Sequence, residues 1–390
     1  MSGFVPPPYP YERLSRARAL AEAHDGGAVD LSIGTPCDPP PPAVVAALAS
    51  SGAERGYPSS VGSRAFREAA AAWLDRTVGA PVPADAVLAC VGTKEMVVSL
   101  PHWLRLRSPE RDTVLYPALS YPSYAMGAEL AGCRALPVTL RPDGALDLET
   151  VSDQDAARAL CLWVNSPSNP TGALDDLEKC ARWGRERRVP VISDECYVAF
   201  TWDGSGRSIL QHGTEGVLAL HSLSKRSNLA GLRAGFCAGD HSLVHYLGEV
   251  RKHAGLMVPG PVQAAAAVAL ADEAHVEYQR ERYWERLVYL SAVLEGVGLS
   301  VAPPAGGFYL WAKVPPGGGR PGPGGGPGAE GPLGVGGGTA WSWVEDLAQR
   351  GGVLVSPGDL YGPAGADHLR MAMVAPMDRL ELVALRLGVQ

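Results

Sequence analysis

Short apolar runs alternate with amphipathic stretches from the start of the chain to about residue 262. Six of the runs have the length of buried strands: residues 86–91, 113–117, 134–140, 159–164, 189–193 and 217–222. Most of the stretches between them place apolar residues at helical spacing, as residues 177–188 do. Alternation of strand and helix is typical of a mostly parallel sheet that helices cover on both faces. The pattern therefore predicts an α/β fold with such a sheet at its centre.

The pattern changes after residue 262. A long helical stretch over residues 272–298 leads into shorter strand-like runs at residues 308–314, 353–358 and 368–374. These elements are typical of a smaller α+β domain. We predict three parts: an N-terminal segment that joins the small domain (residues 1–45), a large domain (46–285) and a small C-terminal domain (286–390).

One segment of the predicted small domain has low complexity. Residues 315–339 are nearly all glycine and proline. Such a composition cannot bury enough apolar surface to offset the entropy lost on ordering. We therefore predict a mobile surface loop over these residues.

Composition and charge exclude several classes of protein. Of the 390 residues, 46% are hydrophobic and 19% are charged, which is typical of a globular chain with a core. The formal net charge is -7 and the lysines and arginines are scattered. We therefore expect neither a nucleic-acid partner nor a membrane surface.

The cysteines and the N-terminus predict a compartment. The seven cysteines form no CxxC pair, and several lie inside apolar runs, which indicates buried, reduced thiols. The first residues lack the apolar core of a secretory signal. Residues 262–271 form the longest apolar tract, well short of the ~20 residues that span a bilayer. We therefore expect a cytoplasmic protein.

Polar and aromatic side chains follow five of the predicted strands, at the point where each strand ends. Ligands of open α/β sheets bind beyond these carboxyl ends. Taken singly, most of the groups also fit a helix cap, a core aromatic or a turn. Two acids directly after an apolar strand are harder to explain, because a buried carboxylate needs a cationic partner. The groups are, in chain order, Gly92-Thr93-Lys94, Tyr121 with Tyr124, Asn165 with Asn169, Asp194-Glu195-Cys196-Tyr197, and Ser222-Leu223-Ser224-Lys225.

Together these groups match the requirements of pyridoxal 5'-phosphate (PLP). Its phosphate needs N–H, hydroxyl and guanidinium donors, which a glycine turn opening a helix, the serines and Arg233 can supply. Its ring needs an aromatic face and an acid against the pyridine nitrogen, and its aldehyde needs a lysine. Asp194 and Lys225 have the right chemistry for the last two roles. The sequence therefore predicts PLP as the cofactor, with no metal.

The motifs "NPTG", "SDECY" and "SLSKRSNLAGLRAG", in this order, resemble those of the class I/II aminotransferases of PLP fold type I. The resemblance covers nearly the whole chain apart from the Gly/Pro-rich segment. Within the family, the segments "VNSPSNPTG" and "RKHAGLMVPGPVQAA" are most similar to the actinobacterial N-succinyldiaminopimelate aminotransferases. The implied fold is a mostly parallel sheet flanked by helices, with a smaller α+β domain.

The resemblance also implies a role for each site residue. Lys225 would hold the cofactor covalently and move a proton, Asp194 would pair with the ring nitrogen, and Tyr197 would bond the phenolic oxygen. Tyr121 would stack on the ring, and Asn169 would bond the phenolic oxygen and border the substrate with Gly34. Arg370 would bind the substrate α-carboxylate. The phosphate would be held by Gly92, Thr93, Lys94, Ser222, Ser224, Arg233 and, from the neighbouring subunit of a homodimer, Tyr57.

The expected reaction is PLP-dependent transamination of small amino and 2-oxo acids. The narrower resemblance implies transfer between glutamate and N-succinyl-2-amino-6-oxopimelate, in lysine biosynthesis through diaminopimelate. Another class I/II substrate and a fold-type I PLP lyase stay open as alternatives. A PLP-binding regulator is disfavoured, because no helix-turn-helix segment precedes the site motifs. The distal group of the substrate has four candidate partners: Arg64, Arg251, Lys252 and His253.

Overall fold

The computed structural model describes residues 4–202, 204, 206–315 and 339–389. Its backbone divides into two compact units. The sheet unit comprises Thr35–Tyr283 and Pro304–Phe308, and the terminal unit comprises Met1–Gly34, Trp284–Pro303 and Tyr309–Gln390. The domain bounds drawn from the sequence stay a prediction, and residues 316–338 of the predicted Gly/Pro-rich loop lie outside the described residues.

The secondary structure is numbered along the whole chain. The strands are β1 (Val29–Asp30), β2 (Val87–Cys90), β3 (Thr113–Pro117), β4 (Arg134–Val138), β5 (Ala159–Asn165), β6 (Val191–Asp194), β7 (Val217–Ser222), β8 (Gly235–Gly239), β9 (Ser300–Val301), β10 (Tyr309–Lys313), β11 (Val353–Leu354), β12 (Ser356–Pro357) and β13 (His368–Ala372). The α-helices are α1 (Ser15–Glu22), α2 (Pro42–Ala49), α3 (Arg64–Val78), α4 (Thr93–Arg107), α5 (Ser123–Leu130), α6 (Asp153–Arg158), α7 (Leu177–Arg187), α8 (Leu223–Arg226), α9 (His241–His253), α10 (Gly260–Ala271), α11 (Ala274–Gly296), α12 (Thr339–Gly351) and α13 (Met377–Leu387).

A seven-stranded sheet forms the centre of the sheet unit, in the order β2-β8-β7-β6-β5-β3-β4. Strands β3 to β7 pair in parallel, and β8 lies antiparallel between β7 and β2. Six of the seven strands run in one direction, so their carboxyl ends lie at the same edge. The predicted α/β fold with a mostly parallel sheet is confirmed.

Strand β8 is the one strand of this sheet that the sequence pattern did not predict. Its sequence, "GFCAG", begins and ends with glycine, a residue that is depleted in strands. The glycines are there because the neighbouring strand is close: a Cβ on Gly235 would lie 2.8 Å from the carbonyl oxygen of His221. The same close packing that requires glycine removes the apolar signal by which a strand is recognised.

Every residue of β2 and of β5 to β8 is buried, so both faces of this part of the sheet are covered. Burial on both faces is why β2 and β5 to β7 are continuous apolar runs in the sequence. Along β5, Leu162 and Val164 point into one core cluster, with Trp73 and Phe236, while Trp163 points into the other. All seven residues of β5 are buried. The sheet is therefore a rigid base for the side chains that follow its strand ends.

The terminal unit contains a four-stranded antiparallel sheet in the order β12-β13-β10-β9, and β1 pairs in parallel with β11. In the first of these sheets Arg370, on β13, lies opposite Trp311 of β10. Within the described ranges, no helix is long and apolar enough to cross a membrane.

Candidate active site

Helix α4 begins at the end of β2 with a glycine and an arginine in contact. Gly92 has φ +73°, and a Cβ there would lie 2.7 Å from Cζ of Arg233. Arg233 itself has φ +54° and donates from Nη1 to the carbonyl oxygen of Ala230 at 2.9 Å. Glycine at position 92 thus leaves room for a guanidinium beside the N-terminus of α4. Both groups favour an anion at this place.

A second helix N-terminus lies at the end of β7. Ser222 is the N-cap of the short helix α8, and its Oγ accepts from the backbone N–H of Ser224 at 3.1 Å. Both serines are buried. Lys225 follows in the same helix, half-buried, with Nζ 5.8 Å from the ring centre of Phe308. The two hydroxyls and the lysine are therefore held by one turn of backbone.

Asp194 ends β6 in a buried position, with 8% of its surface exposed. The Tyr124 hydroxyl donates to Oδ2 at 2.8 Å, and the backbone N–H of Cys196 donates to Oδ1 at 3.2 Å. Burial raises the pKa of Asp194, whereas hydrogen bonds from Cys196 and Tyr124 and the charge of Lys225 lower it. The carboxylate is thus a buried anion whose charge depends on a few donors and one cation.

The turn after β5 is fixed by Asn165. Its Nδ2 donates to the carbonyl oxygens of Asp194, at 2.9 Å, and of Pro167, at 3.2 Å. Its Oδ1 accepts from the backbone N–H of Asn169 at 2.8 Å. One buried amide therefore ties the turn that carries Asn169 to the strand end that carries Asp194.

Lys94 and Tyr121 contact each other. Lys94, in the first turn of α4, donates from Nζ to the Tyr121 hydroxyl at 3.2 Å and lies 5.3 Å from the centre of its ring. Lys94 is exposed and Tyr121 is half-buried. The side chain of Lys94 therefore extends towards the predicted stacking residue, while its backbone belongs to the helix N-terminus at Gly92.

Two of the other predicted residues belong to the terminal unit. Arg370, in the terminal unit, is 1% exposed, and its guanidinium lies 4.4 Å from the ring centre of Tyr309 and 4.7 Å from that of Tyr361. It also donates to the carbonyl oxygen of Ser32. Gly34 of the same unit packs against Tyr309, where a Cβ would lie 3.0 Å from Cζ. Tyr57, in the sheet unit, is fully exposed.

Similarity to known proteins identifies the family. The family described as "Aminotransferase class I and II" matches residues 27–385 of this chain. The chain belongs to this family. The predicted family is thereby confirmed, and the chain is an aminotransferase.

Relatives cover nearly the whole chain. The 4-dedimethylamino-4-oxo-anhydrotetracycline transaminase OxyQ of Streptomyces rimosus is 41% identical over 98% of this aminotransferase and 99% of its own length. The probable aminotransferase Rv1178 of Mycobacterium tuberculosis is 44% identical over 98% of this chain and 85% of its own. The solved structure of a probable N-succinyldiaminopimelate aminotransferase from Thermus thermophilus is 31% identical, with a TM-score of 0.82 over 97% of this chain and 98% of that one.

PLP is the cofactor of this family, and the residues of the sheet unit fit it. Glycine at position 92 lets the Arg233 guanidinium lie against the N-terminus of α4, and a cation at this place suits a phosphate. Asp194 offers a buried carboxylate for a protonated ring nitrogen, and Lys225 lies close enough to lower the pKa of that carboxyl. When bound, PLP supplies an electron sink that stabilises the negative charge left on a substrate carbon after proton removal.

The sequence motifs did not predict a role in the reaction for two buried groups beside the site. Glu195 is 1% exposed, accepts from the backbone N–H of Ile209 at 2.8 Å, and has Oε2 3.4 Å from Nε2 of His221. Burial raises the pKa of Glu195 to about 8 and lowers that of His221 to about 3. Near neutral pH both groups are therefore uncharged.

Replacing Gly92 by alanine should weaken cofactor binding. The new Cβ would displace the guanidinium of Arg233, and alanine would be strained at φ +73°. We expect the dissociation constant of PLP from the apoprotein to rise by about tenfold or more, which corresponds to the free energy of one charge-assisted hydrogen bond. Gly132→Ala is the matched control, because Gly132 has φ +66° but open surroundings. Equal PLP affinity in the two variants would contradict the proposed anion site.

Replacing Glu195 by glutamine should change how stability depends on pH. The folded protein holds the Glu195 proton up to about pH 8, while an unfolded glutamate releases it near pH 4.5. Between pH 4.5 and about pH 8 the unfolded chain therefore binds fewer protons than the folded chain. Wild-type stability consequently falls as pH rises through the pKa of Glu195 in the folded protein. Glutamine keeps the acceptor for Ile209 but cannot ionise.

We expect the melting temperature of Glu195→Gln to fall less than that of the wild type between about pH 6 and about pH 9. Glu178→Gln, at an exposed position of α7, should follow the wild type. Parallel falls in all three proteins would show that Glu195 is not protonated in the folded state.

Proposed function

We propose that this aminotransferase moves an amino group between glutamate and N-succinyl-L-2-amino-6-oxopimelate, with 2-oxoglutarate and N-succinyl-LL-2,6-diaminopimelate as the products. The observation that carries the proposal is the full-length likeness to the Thermus thermophilus protein, at 31% identity. The motif segments of the sequence support the same substrate. As further predictions we retain a homodimer and a cytoplasmic location.

In the proposed site, Lys225 is the residue that holds the cofactor and then moves a proton between the substrate α-carbon and the cofactor. Its position supports this role, because α8 places Nζ within electrostatic reach of Asp194. Asp194 would keep the ring nitrogen protonated. Asn169 and Tyr197 would bond the phenolic oxygen, and Tyr121 would stack on the ring.

The proposed phosphate site combines the N-terminus of α4 with hydroxyls and cations. Such a set neutralises a dianion through charge-assisted hydrogen bonds. Full exposure of Tyr57 is compatible with its proposed reach to the phosphate of a neighbouring subunit. The proposed members are Gly92, Thr93, Lys94, Ser222, Ser224, Arg233 and the Tyr57 of the second subunit.

Arg370 is the proposed partner of the substrate α-carboxylate, with Gly34 and Asn169 bordering the substrate. Two tyrosine rings and the Ser32 carbonyl group hold the guanidinium in a defined plane. A fixed plane favours two parallel hydrogen bonds to a carboxylate, a geometry that lysine cannot reproduce. Both amino donors of the proposed reaction have an α-carboxylate, so both would use this residue.

The distal end of the substrate needs a different partner. Arg251 is removed from the four candidates, because its guanidinium is fully buried and donates to Glu95 Oε1 at 2.5 Å. Arg64 and Lys252 are exposed and paired with Glu68 and Glu249 on their own helices. Exposed pairs of this kind are weak and can open for a substrate carboxylate. Arg64, Lys252 and His253 therefore remain.

A second candidate function rests on the similarity to OxyQ, which is 41% identical over nearly the full length of both chains. This similarity favours a ketone of the anhydrotetracycline type as the amino acceptor. Such an acceptor has no α-carboxylate beside its ketone. Transamination of this substrate would therefore depend on Arg370 for the amino donor alone.

An acceptor panel separates the two candidates. With purified holoenzyme and glutamate as the donor, we expect 2-oxoglutarate to form fastest with N-succinyl-L-2-amino-6-oxopimelate. The same assay should include oxaloacetate, an aromatic 2-oxo acid and 4-dedimethylamino-4-oxo-anhydrotetracycline. Faster turnover of the tetracycline ketone would support the second candidate and contradict the first.

A second experiment measures kcat/KM of the Arg370→Lys variant for the two amino donors of the proposed reaction. Loss of a bidentate pair should lower kcat/KM by at least about tenfold for glutamate and for N-succinyl-LL-2,6-diaminopimelate alike. Arg350→Lys, on the exposed face of α12, is the control and should leave both values unchanged. A loss confined to one donor would contradict a shared α-carboxylate site.

A further inference from the structure

The Asp194 carboxylate has to remain charged in a place that disfavours charge. Its proposed role requires an anion beside the ring nitrogen of PLP, yet burial raises its pKa. A neutral carboxyl group could not stabilise a protonated ring. Donors that bind the anionic form are therefore needed, and their positions decide which way the carboxylate faces.

We propose that Tyr124 and Cys196 are positioning residues for the transamination reaction, which hold the Asp194 carboxylate in one orientation and keep it negatively charged. This inference rests on the proposed role of Asp194 as the partner of the ring nitrogen. Neither residue was predicted to have this role. Both act through Asp194.

Tyr124 is the better defined of the two donors. It is 2% exposed, and its hydroxyl is 2.8 Å from Oδ2 of Asp194. Its ring lies against Trp163, with 5.3 Å between the ring centres. Burial and the charge of Asp194 raise the pKa of Tyr124 well above its ordinary value, so the phenol keeps its proton. The bond therefore has one direction, from the tyrosine to the carboxylate.

Cys196 approaches the carboxylate from the other side. Its backbone N–H donates to Oδ1 at 3.2 Å, and its side chain lowers the pKa of the Asp194 carboxyl. Burial first, and then the Asp194 charge, raises the pKa of Cys196 well above its ordinary value. The thiol therefore keeps its proton, and in the proposed arrangement it donates this proton to Asp194.

The Cys196 sulfur is also 3.1 Å from the Thr93 hydroxyl oxygen. If the thiol proton points to Asp194, the Thr93 hydroxyl is the donor to the sulfur. Thr93 is the first residue of α4, next to Gly92. In the proposed arrangement, hydrogen bonds would connect Thr93 through Cys196 to the Asp194 carboxylate, and the Tyr124 hydroxyl donates to Oδ2 of the same carboxylate.

Loss of either donor should shift the proton that Asp194 shares with the ring nitrogen. A less stabilised carboxylate is more basic, so it takes a larger share of this proton. The ring then carries less positive charge and withdraws fewer electrons. A structural role in packing alone would have no such effect, because it would not depend on a nitrogen atom in the ring.

The decisive variant is Tyr124→Phe, which removes one hydroxyl and keeps the ring against Trp163. Two cofactors should be titrated into the apoprotein: PLP and its analogue with carbon in place of the ring nitrogen. We expect the dissociation constant of PLP to rise by about tenfold, the scale of one hydrogen bond to a charged group. Binding of the analogue should not change. Equal losses for both cofactors, or no loss, would overturn the proposal.

Absorbance of the holoenzyme gives a second measurement. In Tyr124→Phe, the pH midpoint of the visible absorbance change of bound PLP should move to higher pH by up to about one unit, because the ring is less positive. Tyr246→Phe is the matched control, since that hydroxyl donates to the Trp103 carbonyl oxygen at 2.7 Å elsewhere in the unit. An unchanged midpoint in Tyr124→Phe would contradict the proposal.

Cysteine variants test the second donor. Cys196→Ala should weaken binding of PLP more than binding of the carbon analogue. Cys196→Ser should restore the wild-type ratio of the two dissociation constants, because serine supplies a donor of similar size. Cys180→Ala, at a buried thiol of α7, should leave the ratio unchanged. The role of Cys196 is wrong if alanine and serine give the same result.

Asp194→Asn separates failure of this inference from failure of the proposed site. If Asp194 pairs with the ring nitrogen, this variant should lose affinity for PLP and keep its affinity for the carbon analogue. If Asp194→Asn does not weaken PLP more than the carbon analogue, the proposed role of Asp194 itself is wrong. If Asp194→Asn weakens PLP alone but Tyr124→Phe shows no such difference between the two cofactors, only the positioning roles are wrong.

Discussion

The arrangement of the sheet unit depends on one buried charge, the carboxylate of Asp194. A buried anion is stable only where donors and a cation surround it. Here the donors come from α5 and from the turn after β6, and the cation comes from the helix after β7. All of them can reach the carboxylate because parallel strands end at one edge of a sheet that is buried on both faces.

The fold could be read from the sequence wherever burial left a continuous apolar run. Strand β5, with all seven residues buried, is an example. Strand β8 could not be read, because its close contact with β7 requires glycine at both ends. The division into two units depends on contacts between distant segments, such as the pairing of Val29 with Val353. The spacing of apolar residues along the chain does not show which distant segments pair.

Members of the proposed site could be predicted from the sequence where a role in binding PLP requires one particular type of side chain. The lysine that follows residues 217–222 and the acid that follows residues 189–193 were informative because, together with the other strand ends, they complete the requirements of PLP. Tyr124 was not assigned, because its partner is 70 positions away and its role depends on a single hydroxyl contact. The ion pair of Arg251 with Glu95 joins residues that are 156 positions apart, so the sequence could not show that this candidate is already paired. Substrate choice depends on such contacts, so motifs specify it less well than they specify the cofactor.

The most direct test of the account is to find which side chain holds the cofactor. Holoenzyme treated with borohydride would retain PLP covalently, and mass spectrometry of its peptides would locate it. We predict the added mass on the peptide that contains Lys225. Labelling of Lys94, which lies in the first turn of α4, or of no lysine would contradict the proposed site.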